Sequence, residues 1–565
     1  MSNETESYEP VFHIGLCMAG AVSAGAYTAG VMDYLQEALQ EWQARKDKGM
    51  PETPSHRVSI PVIGGASAGG MTGIITGSAI NNSRERIEMP DKGSLFAEHP
   101  GNKLYHSWVD LAASDMFPLL LDTADITKEN GVRSLLNAKF IDDIAERAIK
   151  VNEQKWSSQA PYWNDPLKIF TTLTNLEGFC YDVGFNANIA DSKYFMTVHN
   201  DYACFSISEK GLYPPEVYWI PLNFKEEKNL SIARDAAMAT GAFPIGLLAR
   251  PLERDLQAVR SNPWLQKVAH GAPMAKEPAT FKTLNVDGGL INNEPFDKVR
   301  SVLIDVTKQD SPADYENYER CTSTVLMIDP FPSEPPGKFT PDQNLFKVGG
   351  FTLSAMIDQM RAKPAHIVDA MDSNKAGQYL IAPSRRRPTL AGEEKEAQGS
   401  KAITCGAFDG FSGFINKEFR VHDFFLGRWN CEIFLREYFT IPAKAAMVNP
   451  IFRDGYKGID MKPYLAKDGS YPIIPIFTPR SEFRMPVFSS GTNWPAIPAG
   501  SLKRFKPAIN KRAAALLMNA MKLKWYQKAL LWAGGKLLLN RLLTNKAINF
   551  ISNALAQHEL MQKED

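Results

Sequence analysis

The tightest constraint on this chain is the five-residue turn Gly65-Ala66-Ser67-Ala68-Gly69. It lies between the apolar run 58–64 (VSIPVIG) and the small-residue run 71–80 (MTGIITGSAI). A buried strand, a turn with glycine at both ends and a helix-capable run allow few arrangements. A serine on a sharp strand-to-helix turn projects its hydroxyl beyond the sheet, and small flanking residues let the chain bend and a substrate approach. The following helix would aim its N-terminus, with its partial positive charge, at the same point. Taken alone, the pentapeptide is equally compatible with a plain tight turn.

The same order occurs upstream. Residues 11–18 (VFHIGLCM) read as a short buried strand, followed by a glycine-rich turn and a helix-like run through Tyr34, Leu35 and Leu39. Further strand candidates are 168–174, 283–286 and 323–328, with helical patterns at 134–150 and 231–241. This alternation predicts an α/β fold with a central, mostly parallel sheet flanked by helices.

Three other stretches have side chains or backbone suited to chemistry. The turn Gly20-Ala21-Val22-Ser23-Ala24-Gly25-Ala26-Tyr27 offers the backbone N–H groups of Gly20, Ala21 and Val22 to an oxyanion. It lacks the GxGxxG spacing of a dinucleotide site, since no glycine stands at position 22. Asp287-Gly288-Gly289 follows the strand-like TLNV, so its carboxylate can reach a cleft at the sheet's carboxyl edge; a turn-capping aspartate is the alternative. His422 (in FRVHD) completes the chain order Ser67, Asp287, His422 of an α/β-hydrolase triad. Its other reading is a structural histidine tied to Arg420 or Asp423.

Together these stretches resemble the patatin-like phospholipase family, in its long bacterial-type branch. The resemblance lies in their order: a glycine-rich loop, then GxSxG, then Asp-Gly-Gly far downstream. Gly25-Ala26-Tyr27 with Gly30-Val31, the alanine-rich 231–246 and the segment 410–436 support it, and it covers roughly residues 11–440. It implies a patatin-type fold and phospholipase-type hydrolysis of acyl lipids by a Ser67–Asp287 dyad through an acyl-enzyme. In that scheme Gly65, Ala66, Ala68 and Gly69 form the nucleophile elbow, Gly288 and Gly289 complete the aspartate motif, and no metal or other cofactor is needed. The chain departs from the family where three glycines and an arginine are usual, with Gly20, Ala21, Val22 and Ala24. The N–H groups survive that change, but valine at positive φ is strained. Two rival functions stay open: a soluble serine esterase with a Ser67–Asp287–His422 triad, and a non-catalytic lipid-binding protein of the same fold.

Composition narrows the class further. Hydrophobic residues at 44% and charged residues at 22% exclude a mainly disordered or collagen-like chain. The six cysteines, at 17, 180, 204, 321, 405 and 431, form no CxxC and no metal-ligand spacing, which argues against a zinc site or disulfide framework. The acidic N-terminus does not read as a secretory signal, and no run of 18 apolar residues reads as a spanning helix. The expectation is a cytoplasmic protein, peripheral at the inner face of the membrane.

The formal net charge of zero hides an asymmetry. From Phe483 to His558 there are twelve Lys or Arg and no Asp or Glu, which leaves the rest with 51 basic against 63 acidic residues. Such a tail meets an anionic membrane surface or the acidic body itself, and nucleic acid is not expected as a partner. Arg541, Asn545, Asn549 and Asn553 form one polar helical stripe, Leu539, Leu543 and Phe550 lie on a different face, and Leu537, Ile548 and Leu555 add to a wide apolar arc. The reading of the whole is a catalytic domain with insertions at 1–440, an irregular Pro/Gly-rich connection at 441–500 and a basic helical extension at 501–565. Within it, the proline-dense 330–342 and the mixed-charge 383–400 are predicted as loops.

Overall fold

The apolar runs become the centre of a nine-stranded sheet. The computed structural model describes residues 10–127, 129–151, 156–183, 194–266, 279–332, 376–388, 394–479, 484–498, 500–520 and 540–562, with nine positions between 341 and 356. The sheet strands are β1 (Val11–Met18), β2 (Arg57–Gly65), β3 (Trp163–Val183), β4 (Tyr194–Ile207), β5 (Ile220–Leu222), β6 (Arg250–Asp255), β7 (Thr280–Asp287), β8 (Ser323–Ile328) and β9 (Gln378–Ile381). Their order is β5-β4-β3-β2-β1-β8-β9, with β7 on β3 and β6 on β7. The central run from β3 through β9 is parallel, while β4 and β7 join β3 antiparallel.

The principal helices are α1 (Gly25–Asp47), α2 (Ala68–Gly77), α3 (Lys139–Ile149), α4 (Leu230–Thr240), α5 (Phe296–Thr307), α6 (Lys417–Glu437), α7 (Lys506–Ala520) and α8 (Asn540–Gln557). One face of the sheet packs on α1, α2 and α6 through residues such as Leu16, Leu35, Ile74 and Phe424. The other packs on α5 through Val62, Phe170, Val299 and Leu303. Each such fully buried side chain contributes about 1.5–3 kcal/mol before entropy is set against it. The buried carboxylate of Asp33 in α1 pairs with Arg428 of α6 and Arg84, which fixes the α1–α6 packing.

β3 brings the two key motifs together. β2 ends with Gly65 opposite Thr171, and β7 ends with Asp287 opposite Leu173. Both of those β3 residues also pair with β4 on their other side. So β2 and β7 meet end to end along one side of β3, and the turns that follow them share one site.

Two sequence expectations change. Residues 383–400, read as a loop, form a hairpin of β10 (Ser384–Pro388) and β11 (Glu394–Gln398), in which Arg386 faces Glu396. Arg386 and Glu396 make one favourable cross-strand charge pair, while Arg387 stands opposite Lys395. Phe550, placed on the apolar arc of the tail, is 57% exposed, whereas Ile548 and Leu555 of that arc are buried. The expected proline-dense loop falls mostly outside the described residues, as do Lys522, Lys524, Lys528 and Lys536 of the basic tail.

Candidate active site

Ser67 stands between the end of β2 and the first turn of α2, at φ 50° and ψ −127°. A non-glycine residue there costs about 1–3 kcal/mol and persists only where its surroundings enforce it. The surroundings are tight. A Cβ on Gly69 would come 2.2 Å from the Met18 carbonyl oxygen, and one on Gly65 would come 2.6 Å from the Gly69 backbone. The Ser67 N–H donates to Thr240 Oγ1 at 2.9 Å, which ties the turn to the end of α4.

The Ser67 hydroxyl donates to Asp287 Oδ2 at 2.6 Å. The other carboxylate oxygen, Oδ1, accepts the Gly289 N–H at 2.7 Å. The aspartate backbone is pinned from two directions: its N–H donates to the Ala242 carbonyl at 2.9 Å, and its carbonyl accepts from Thr174 Oγ1 at 2.8 Å. Both side chains are buried, at 6% and 7% exposure, so little water competes for their contact.

The glycine-rich loop lies against this pair. A Cβ on Gly20 would come 2.9 Å from Ser67 Cβ. The Gly20 N–H, expected to face an oxyanion, instead donates to Asn293 Oδ1 at 3.1 Å. Among the described residues the N–H groups of Ala21, Val22 and Ala68 donate to no acceptor. Val22 sits at φ 47°, the strained conformation that the loop sequence predicts for a residue in a glycine position.

His422 lies elsewhere. It is fully buried in α6, its Nδ1 is 2.8 Å from Asp423 Oδ1, and its ring meets Trp494 edge-on at 4.8 Å. Burial lowers its pKa, against the pull of Asp423. The Ser67 hydroxyl bonds directly to Asp287, whereas the contacts of His422 are with Asp423, Phe488 and Trp494.

A cavity of ≈ 90 Å³ opens beside Ser67 and Val22, lined by Ile74, Trp108, Phe140, Ile144 and Phe414 among others. Two cations at its edge are neutralised: Arg250 by Asp142 at 2.5 Å, and Arg234 by Asp235 at 3.0 Å. An apolar chain therefore meets methyl groups and rings rather than charge. Between the lining residues Ala242 and Leu247 in sequence, Phe243 is 41% and Ile245 72% exposed.

Thr240, Asn293 and Ser23 support the site but were not among the sequence candidates. Ser23 and Thr240 lie within stretches the motifs had marked and Asn293 lies four residues past one, yet the role of each rests on a contact far along the chain, 273 residues apart for Gly20 and Asn293.

A family model described as "Patatin-like phospholipase" matches residues 16–300. A protein of Sinorhizobium fredii, described as "Uncharacterized protein y4iI", is 33% identical over 482 residues, covering 77% of this chain. The chain spans 66% of that relative's length.

Proposed function

The chain belongs to the patatin-like phospholipase family, and we propose that it cleaves fatty-acyl ester bonds of membrane lipids, phospholipids foremost, with Ser67 as nucleophile and Asp287 as general base. The observation that carries this reading is the 2.6 Å bond from the Ser67 hydroxyl to Asp287, at the mouth of an apolar cavity.

The proposed steps begin at that bond. Asp287 takes the hydroxyl proton as Ser67 Oγ attacks the ester carbonyl carbon. The N–H groups of Ala21 and Val22, with the N-terminus of α2, stabilise the tetrahedral oxyanion. Losing one such donor costs about 2.7–4 kcal/mol of barrier. The intermediate collapses, the alcohol leaves with the proton from Asp287, and the acyl group stays on Ser67. Water, deprotonated by Asp287, then releases the fatty acid. The apolar cavity beside Ser67 receives the part of the acyl chain next to the ester.

One observation favours the rival reading of a lipid binder without catalysis. The Gly20 N–H is already engaged by Asn293, so the loop offers fewer donors than its sequence suggests. The deciding experiment is lipid product analysis after incubating mixed phospholipid vesicles with the wild type and with Ser67→Ala. Free fatty acid from the wild type alone supports the hydrolase. Equal release from both, or none from either, overturns it.

A further inference from the structure

The strained Val22 is held by a segment beyond residues 16–300, the family match. The Ser23 hydroxyl donates to the Gly410 carbonyl and accepts the Gly413 N–H at 3.1 Å. The Ser23 N–H donates to the same Gly410 carbonyl at 3.1 Å. Three consecutive residues of that segment, Phe408, Asp409 and Gly410, have φ of 55°, 49° and 88°. A Cβ on Gly410 would come 3.0 Å from the Val22 Cβ, so the two backbones are in close contact there.

α6 fixes both ends of the segment. Asp423 accepts the N–H groups of Thr404 and Cys405, each at 2.8 Å. Arg420, fully buried, donates to the Gly413 carbonyl at 2.6 Å and to the Val109 carbonyl at 2.8 Å. The Ser412 hydroxyl closes the loop onto the Thr404 carbonyl at 2.7 Å. The FRVHD stretch thus gives the site two anchors, Arg420 and Asp423, on either side of a histidine that does not reach it.

We infer that residues 404–413 act as a clamp that holds Val22 in its left-handed conformation and so aims the Ala21 and Val22 N–H groups at the oxyanion, with Ser23 as the positioning residue. This rests on the hydrolase reading above. The physical need lies in the valine at position 22. A glycine adopts positive φ unaided, whereas a β-branched residue there has to be held. The clamp takes the place of the missing loop glycines.

The test uses the full chain and p-nitrophenyl butyrate. Ser23→Ala is expected to lower kcat at least tenfold with KM within twofold, because the substrate's ground state does not use the oxyanion donors. Adding Val22→Gly to Ser23→Ala is expected to recover kcat to within threefold of wild type, since glycine needs no clamp. Amide hydrogen exchange supplies a readout free of turnover: residues 19–25 and Gly413 exchange faster in Ser23→Ala, while the rest of the chain is unchanged. Gly413→Ala, whose Cβ would come 2.5 Å from Ser23 Oγ, is a second route to the same loss if Ser23→Ala does not fold. Unchanged kcat together with unchanged exchange at 19–25 overturns the clamp, as does a folded double variant that recovers nothing. If wild type and Ser67→Ala release nitrophenol equally, the hydrolase reading fails, and exchange at 19–25 still decides the clamp.

Discussion

A carboxylate acts on a neighbouring hydroxyl only if its oxygens are held toward it, and each Asp287 oxygen has a fixed task. Oδ1 accepts Gly289 N–H and Oδ2 accepts Ser67 Oγ–H. Asp287→Asn keeps the size but removes the proton acceptor, so kcat is expected to fall by two or more orders of magnitude in the p-nitrophenyl ester assay. His422→Ala, if folded, is expected to stay active; a dead His422→Ala with an active Asp287→Asn would restore the triad. Both motif residues could be read from the sequence because each stands in a short local pattern. Ser23 could not, since its partner lies 387 residues away. His56 gives a separate prediction. Burial, against its bond to the Ile473 carbonyl, pushes its imidazole down to about 3. The unfolded chain binds a proton near pH 6.5 that the folded chain refuses, so stability is full above that pH and falls as pH drops toward 3. At pH 5 the loss from this group is about 2 kcal/mol. Urea melts at pH 7 and pH 5 should show it, and His56→Phe should shrink the difference.

At the scale of elements, β3 decides the site, because it sets the ends of β2 and β7 side by side. The strands that could be read from sequence, β1 and β8 among them, are short, mostly apolar runs, buried on both faces as parallel strands are. β4 was missed because its sequence, YFMTVHNDYACFSI, mixes polar and apolar residues without a clean period. The hairpin β10–β11 was missed for a related reason: its strands are rich in charged residues, and charge runs in sequence read as loops. α7 shows how the tail is attached. Arg512 is buried, and its guanidinium donates to the carbonyls of Asp122 (2.6 Å), Ser134 (3.1 Å) and Leu135 (2.9 Å), and to Asp125 Oδ2 at 2.9 Å. Arg512→Ala leaves those acceptors and the Asp125 carboxylate without their partner. A loss of about 3 kcal/mol is expected, read as a lower urea midpoint at pH 7. An unchanged midpoint would mean that α7 contributes nothing to the stability of the body.

At the scale of the whole molecule, the acidic body and basic tail are partly matched to each other. Arg512 and Arg504 pair with Asp125 and Asp115 of the body, the latter at 3.0 Å. Lys503, Lys511 and Lys546 point to solvent, and on α8 Phe550 stands beside Phe408 at a ring distance of 5.7 Å. Phe408 packs on Phe411, and Phe411 on Phe414 of the cavity wall and on Phe243. An aromatic path thus runs from the cavity to the exposed side of the tail. No helix of the described residues is long and apolar enough to cross a membrane, so any contact with a bilayer through these helices is made at its surface. Cutting the chain near Gly500 would strip Arg512 from its buried partners and confuse folding with binding. Charge reversal of Lys503, Lys511 and Lys546 to Glu leaves those contacts in place. Each basic residue near an anionic surface contributes up to about 1 kcal/mol, screened by salt. The triple variant is therefore expected to sediment with anionic vesicles at least tenfold more weakly than wild type at low salt. The gap should narrow as salt rises, and neutral vesicles should not distinguish the two. A triple variant that binds anionic vesicles as well as wild type would move the contact off these three lysines. The exposed apolar Phe243 and Ile245 would then be the residues to substitute next, with binding that salt does not weaken as their mark.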